Sequence, residues 1–130
     1  MSLRNFLMAG ALVCALASPA LAAEDGGSLF QQNCSACHQP KGEGVAGAFP
    51  ALAGNKFVQG DPKGPAYVVT HGRGGMPNFS GDLDDVQISE ILSYVRSAWG
   101  NQAGPLPPAL VAEVRGAPTP PDPQAGLPFH

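Results

Sequence analysis

Two cysteines and a histidine form the segment of the sequence with the clearest chemistry. Cys34 and Cys37 lie three positions apart, and His38 follows directly. This spacing is typical of covalent haem attachment, in which each thiol adds across one vinyl group of the porphyrin and the imidazole binds the iron. The segment therefore predicts one covalently bound haem c per chain, with His38 as the first axial ligand.

Two other roles are possible for Cys34 and Cys37. A disulfide between Cys34 and Cys37 is one alternative, but the flanking sequence lacks the strand-then-helix pattern of a thioredoxin-type dithiol. A structural zinc site is the other, and it needs two further Cys or His ligands at short spacing. No cysteine follows Cys37. The residue pattern therefore favours haem attachment over both alternatives.

The second axial ligand can be sought among few residues. Beyond the apolar N-terminal segment, the sequence has one methionine, Met76, and two histidines besides His38, namely His71 and His130. Three glycines shortly before Met76 and a proline after it favour an irregular, partly extended loop. A thioether on such a loop can reach the iron from the face opposite His38. We expect Met76 to be this ligand, with His71 as the competing candidate; an ordinary packing role for Met76 and a surface position for His71 are the alternatives.

Two further residues could support the cofactor. Pro50 lies in a loop rich in glycine and proline, residues 39–54, and glycines allow such a loop to approach a flat group closely. The carbonyl of Pro50 can accept the hydrogen bond that the ring N–H of a metal-bound histidine usually donates. Arg73 could pair with a haem propionate, and a solvated arginine is the equal alternative.

Residues 1–22 have the composition of an export signal. Arg4 provides a positive charge, residues 6–17 form an apolar run, and small residues surround the expected cleavage point near Ala22 or Ala23. An uncleaved membrane anchor is the alternative, but the run is barely long enough to span a bilayer. We expect a periplasmic protein without stable membrane insertion after cleavage, since haem attachment requires reduced thiols outside the cytoplasm.

Charge and size exclude some classes of function. The net charge is −3, and removal of Arg4 with the signal would make it −4. A nucleic-acid-binding protein would need a basic stripe, so no nucleic-acid partner is expected. A domain of this size buries a limited core. A haem would therefore supply much of the apolar surface around which the chain packs.

Periodicity predicts helices on either side of the loops. Residues 24–38 are expected to form a first helix and residues 64–70 a short one. The clearest helix covers residues 82–99, where Asp84 and Gln87 make a capping box. Its apolar stripe consists of Ile88, Ile91, Leu92, Val95 and Trp99. We expect this stripe to pack against the first helix.

Residues 102–130 form a proline-rich C-terminal tail. The segment from position 104 onward holds eight of the 14 prolines. Residues 108–115 could form two helical turns within it. We expect a disordered or loosely packed tail, and the alternative is a docking segment for a partner protein.

Four motifs in register resemble the class I c-type cytochromes. They are Cys-x-x-Cys-His, Phe-Pro-Ala-Leu-Ala-Gly, Gly-Gly-Met-Pro and Tyr-Val-Arg-Ser-Ala-Trp-Gly-Asn, all within residues 24–101. The resemblance implies an all-α cytochrome c domain, residues 23–101, with three to four helices and Gly/Pro-rich loops wrapped around one covalent haem. It also implies attachment through Cys34 and Cys37 and axial ligation by His38 and Met76.

The resemblance assigns further roles by position. It implies that the carbonyl of Pro50 accepts from the proximal histidine. It also implies that Gly26 and Phe30 of the first helix contact Ile91 and Tyr94 of the last predicted helix.

The function implied by the resemblance is electron transfer. The protein would carry single electrons between a donor dehydrogenase or reductase and an acceptor oxidase or other cytochrome, without being an enzyme itself. Its partners would be redox proteins. One alternative is the cytochrome subunit of a periplasmic dehydrogenase complex for alcohols, sugars or sulfur compounds. Another is a gas-binding or peroxidase-like haem protein in which Met76 does not bind the iron.

Overall fold

The computed structural model describes residues 24–118, and the regular structure in this range is helical apart from two isolated bridges. The helices are α1 (Gly26–Asn33), α2 (Ser35–His38), α3 (Lys56–Gln59), α4 (Lys63–His71), α5 (Asp85–Ser97) and α6 (Pro108–Arg115). Four of them have eight or more residues, while α2 and α3 are single turns. The all-α prediction is confirmed. The predicted export signal, residues 1–22, lies outside the described residues.

None of the helices between residues 24 and 118 is long and apolar enough to cross a lipid bilayer.

The first helix is divided at Cys34, where the prediction of one continuous helix over residues 24–38 is wrong. The backbone of Cys34 has φ −123° and ψ −31°, which departs from helical geometry. On either side of it, the side chains of Asn33 and Ser35 donate to carbonyl groups four residues earlier. Such bonds compete with the regular backbone ladder and bend helices. The Cys34–His38 segment therefore has a helical turn of its own.

Helix α5 is shorter than the predicted 82–99. The predicted capping box is confirmed: Gln87 N–H donates to Asp84 Oδ1 at 2.8 Å, and Asp84 N–H donates to Gln87 Oε1 at 3.0 Å. At the other end, Trp99 has a φ of 54°. A helix cannot continue through this left-handed conformation, so the chain leaves α5 before Trp99.

The crossing of α1 and α5 brings the beginning and the end of residues 24–101 together. A Cβ atom at Gly26 would overlap the backbone carbonyl of Glu90 and lie 2.9 Å from Cβ of Tyr94. Phe30, one turn later, is fully buried, with its ring centroid 5.8 Å from that of Tyr94 and 5.0 Å from that of Trp99. Aromatic pairs at these separations stabilise a packed interface. The predicted contact between these two helices is confirmed.

The apolar core joins five helices, including α3 through Val58. Helix α1 contributes Leu29 and Phe30, α4 contributes Ala66, α5 contributes Ile88, Ile91, Leu92 and Val95, and the C-terminal segment contributes Leu106, Val111 and Val114. The last three residues extend the core beyond the predicted end of the domain.

The chain from residue 102 to residue 118 packs against α4 and α5, so the expectation of a loose tail is wrong for this part. Leu106 and Val111 are 3% and 0% exposed, and the carbonyl of Leu106 accepts from Ser89 Oγ at 2.7 Å. The high proline content does not prevent this packing, since Pro108 occupies the first position of α6, where a missing N–H costs nothing. Residues 119–130 lie outside the described range.

We expect Gly26→Ala to lower the free energy of unfolding by about 1 to 3 kcal/mol, because the added methyl group would overlap the backbone of α5. Thermal or denaturant unfolding followed by circular dichroism measures this change. Gly104→Ala is the control, since a Cβ atom there meets nothing within 4 Å. Equal midpoints for the two variants would contradict the close crossing.

Candidate functional site

The candidate site is centred on His38. This residue ends α2 and is 8% exposed. Its Nδ1 lies 2.9 Å from the carbonyl oxygen of Pro50, and because a carbonyl can only accept, Nδ1 carries the proton and donates it. The bond fixes the tautomer and the orientation of the ring and leaves the lone pair of Nε2 available for a metal. The structure thus places Pro50 where the sequence analysis expects an acceptor.

The two cysteines precede His38 with different environments. Cys34 is half-buried, Cys37 is exposed, and both are free thiols. Burial raises the pKa of Cys34 to about 11, and the charge of a Cys37 thiolate contributes in the same direction. Cys34 is therefore a protonated thiol near neutral pH.

The loop of residues 39–54 turns back so that Pro50 meets His38. At Gly42 the backbone φ is 65°, a left-handed conformation that favours glycine. A Cβ atom at Gly42 would overlap the indole ring of Trp99. The backbone of Gly42 therefore packs directly against the indole ring of Trp99, which follows α5.

A buried asparagine that the sequence analysis did not single out ties this loop to α5. Asn101 is 4% exposed, and its Nδ2 donates to the carbonyls of Leu52 at 3.0 Å and Val95 at 2.8 Å. Its Oδ1 accepts from the N–H of Gly54 at 2.8 Å. The sequence offers one weak signal, a polar residue directly after the Trp-Gly helix end. Such a residue is usually exposed, so the signal does not predict burial.

Met76 and Arg73 lie together in a separate turn after α4. Arg73 N–H donates to the carbonyl of Met76 at 3.0 Å, and Met76 N–H donates to the carbonyl of Arg73 at 2.9 Å. Met76 is half-buried, and the guanidinium carbon of Arg73 lies 5.7 Å from the centre of the Phe57 ring. Two groups of predicted site residues therefore result: Cys34, Cys37, His38 and Pro50 in the segment 34–50, and Arg73 and Met76 in this turn.

His71, the competing ligand candidate, ends α4 with its ring stacked on that of Tyr67 at a centroid distance of 4.0 Å. Its Nδ1 lies 2.9 Å from the hydroxyl oxygen of Thr70, and its Nε2 lies 3.3 Å from the carbonyl oxygen of Ala117. Both ring nitrogens therefore have oxygen partners within the protein. This arrangement favours a structural role for His71.

The residues present fit a haem. Tyr67 has a buried hydroxyl without a hydrogen-bond partner in the described part of the chain, and buried polar groups usually have a partner. Val45 and Phe49, in the loop that carries Pro50, are apolar and each 42% exposed. A large apolar cofactor with polar edges would supply contacts for both kinds of side chain. Haem c requires two thiols for covalent attachment and an imidazole to bind the iron, and the Cys34–His38 segment contains all three groups.

The helical fold and the oriented histidine of the Cys-x-x-Cys-His turn define a c-type cytochrome. The sequence profile described as "Cytochrome C oxidase, cbb3-type, subunit III" matches residues 21–95. The chain belongs to this family of cytochromes c, whose members are typically exported electron carriers with covalently bound haem c. The predicted resemblance and the predicted cofactor are confirmed at this level.

Individual relatives give the same assignment. Cytochrome c-552 of Thermus thermophilus is 32% identical over 115 residues, which cover 77% of this chain and 72% of that protein. Cytochrome c6 of Thermosynechococcus vestitus is 36% identical over 89 residues, covering 65% of this chain and 80% of that protein. The cytochrome c subunit of the quinone alcohol dehydrogenase of Gluconacetobacter polyoxogenes is 35% identical over 118 residues, covering 79% of this chain. The chain spans 25% of the length of this curated relative.

We expect Asn101→Ala to lower the free energy of unfolding by about 1 to 3 kcal/mol, because the three hydrogen bonds of its buried side chain are lost. Unfolding of the haem-loaded protein, followed by circular dichroism and haem absorbance, measures the effect. Gln102→Ala is the matched control, since its side chain is exposed and its backbone N–H makes the bond to Gln59. If both variants unfold at the wild-type midpoint, Asn101 does not hold the loop.

Proposed function

We propose that this protein is a one-electron carrier with haem c attached through Cys34 and Cys37 and the iron held between His38 and Met76. The observation that carries the proposal is the 2.9 Å hydrogen bond from His38 Nδ1 to the carbonyl of Pro50. It gives the imidazole a single tautomer with Nε2 as the metal-binding atom. When bound, the haem iron supplies a reversible Fe(II)/Fe(III) couple.

The choice of Met76 as the second ligand is supported by the surroundings of both candidates. Met76 lies half-buried on a turn that begins at Gly72, whose φ of 79° redirects the chain after α4. His71 has its ring stacked on Tyr67 and both nitrogens near oxygen atoms. Two protein ligands would fill both axial positions. Substrates would then have no access to the metal, as suits an electron carrier and not an enzyme.

The proposed partners are redox proteins, a donor dehydrogenase or reductase and an acceptor oxidase or other cytochrome. Between the predicted signal and α5 the basic residues are Lys41, Lys56, Lys63 and Arg73, and the net charge of the whole sequence is −3. A strong positive field that would steer acidic partners is therefore not expected. We propose a small, transient interface from which partners dissociate quickly. Arg73 is proposed to contact a haem propionate.

The proposed location is the periplasm, with residues 1–22 removed as an export signal. The apolar run and the small residues before Ala23 support this proposal, as does the need for reduced thiols outside the cytoplasm during haem attachment.

A second candidate function is that of a cytochrome subunit within a dehydrogenase complex. The observation that favours it is the match of 79% of this chain to the cytochrome c subunit of a quinone alcohol dehydrogenase. In such a complex the same haem would pass electrons between fixed subunits. Co-purification from the periplasm with a catalytic subunit would support this candidate, whereas a freely soluble, fully active monomer would contradict it.

Met76→Ala should abolish the absorption band that arises from thioether coordination of ferric iron and should lower the reduction potential, because a methionine ligand raises the potential. Absorption spectra and a redox titration of the haem-loaded protein measure both changes. Reduced wild-type protein should not bind carbon monoxide, and the reduced variant should bind it. An unchanged spectrum in the variant would exclude Met76 and leave His71 as the ligand.

The double variant Cys34→Ser, Cys37→Ser should yield little folded protein, because the cofactor is expected to form part of the core. The measurements are haem that remains on the polypeptide after extraction with acidic organic solvent, and helical circular dichroism. Cys14→Ser is the matched control, because Cys14 lies in the predicted signal and its loss should leave the yield unchanged. A stable haem-free fold of the double variant would refute this dependence.

A further inference from the structure

The loop that carries Met76, residues 72–78, has both of its ends in contact with the C-terminal segment. Before the loop, His71 Nε2 lies 3.3 Å from the carbonyl oxygen of Ala117, just after α6. After the loop, Arg115 of α6 donates to the backbone carbonyls that follow. The C-terminal segment, residues 108–117, therefore contacts the chain on both sides of the proposed iron ligand.

Arg115 makes the most specific of these contacts. Its Nη1 donates to the carbonyl of Ser80 at 2.8 Å, and its Nη2 donates to the carbonyl of Leu83 at 3.0 Å. Its Nε donates to Asp85 Oδ1 at 2.7 Å, so that the carboxylate at the start of α5 fixes the plane of the guanidinium. A planar guanidinium can make all three bonds at once, whereas a lysine ammonium has no such geometry.

The two ends of the loop are also joined to each other. Phe79 N–H donates to the carbonyl of Val69 at 2.9 Å, and Ser80 Oγ donates to the carbonyl of Thr70. The loop between these ends contains three glycines, which have many accessible conformations. Its geometry therefore depends on how firmly its ends are held.

We propose that α6 holds the Met76 loop in the conformation that presents the thioether to the iron, with Arg115 as the positioning residue. This inference rests on the proposed ligation by Met76. Without Arg115 the loop would open locally while the helices stay folded, as weakly held segments of proteins do. An external ligand would then compete with the thioether more effectively.

A control is needed because any weakening of α6 could destabilise the whole domain. Lys63 Nζ lies 2.6 Å from Glu113 Oε1 and joins α6 to the start of α4, away from the Met76 loop. Both side chains are more than half exposed, at 54% and 63%. Glu113→Gln therefore removes a contact of α6 that does not involve either end of the loop.

The experiment compares haem-loaded wild-type protein, Arg115→Gln and Glu113→Gln. Arg115→Gln should lose the thioether-to-iron band at a lower temperature than the one at which its helices unfold, and its ferric form should bind imidazole about tenfold more tightly, since bonds from a charged donor are lost. Wild-type protein and Glu113→Gln should lose band and helices together and bind imidazole equally. Should Arg115→Gln fail to fold, Arg115→Lys keeps the charge beside Asp85 and should show the same separation of band loss from helix unfolding.

If a folded Arg115 variant binds imidazole with wild-type affinity, Arg115 does not position the loop. The same conclusion follows if Glu113→Gln behaves as Arg115→Gln does. Neither result contradicts the proposed ligation by Met76. Absence of the thioether band from the wild-type protein would instead overturn the proposed function, and this inference with it.

Discussion

The hydrogen bond between His38 and Pro50 is the interaction on which the site depends. An imidazole at the end of the four-residue helix α2 would otherwise rotate and exchange its proton between the two nitrogens. The carbonyl of Pro50 can fix it only because the loop of residues 39–54 is itself held, by the ring of Trp99 and by the side-chain amide of Asn101. A proposed ligand near the start of the domain is therefore oriented by two residues that follow α5.

The two proposed iron ligands are held by different parts of the fold. The histidine side depends on α1, α5 and the loop between α2 and α3. The methionine side depends on α4 and on the C-terminal helix, through the contacts of Arg115 and of Ala117. Helix α5 takes part on both sides, because Arg115 also bonds Asp85 at its start.

Most of the features that could be predicted from sequence are set by neighbouring residues; the contact between α1 and α5 followed from the apolar stripe of α5 and from the family resemblance. The capping box of Asp84 and Gln87 is local, and so is the spacing of the cysteine and histidine motif. The burial of Asn101 and the packing of residues 102–118 depend on contacts between distant parts of the chain. Composition alone does not predict the packing of the C-terminal segment, because prolines that suggest disorder also occur at helix starts such as Pro108.

The crossing at Gly26 also sets an order of assembly. Gly26 contacts Glu90 of α5, which lies 64 positions later in the chain. A polypeptide that crosses a membrane with its N-terminus first exposes the Cys34–His38 segment well before Glu90. Contacts between such distant residues close late. In the proposed export, the thiols would therefore be accessible before the last helices arrive, and the proposed haem attachment could finish before the chain encloses the cofactor.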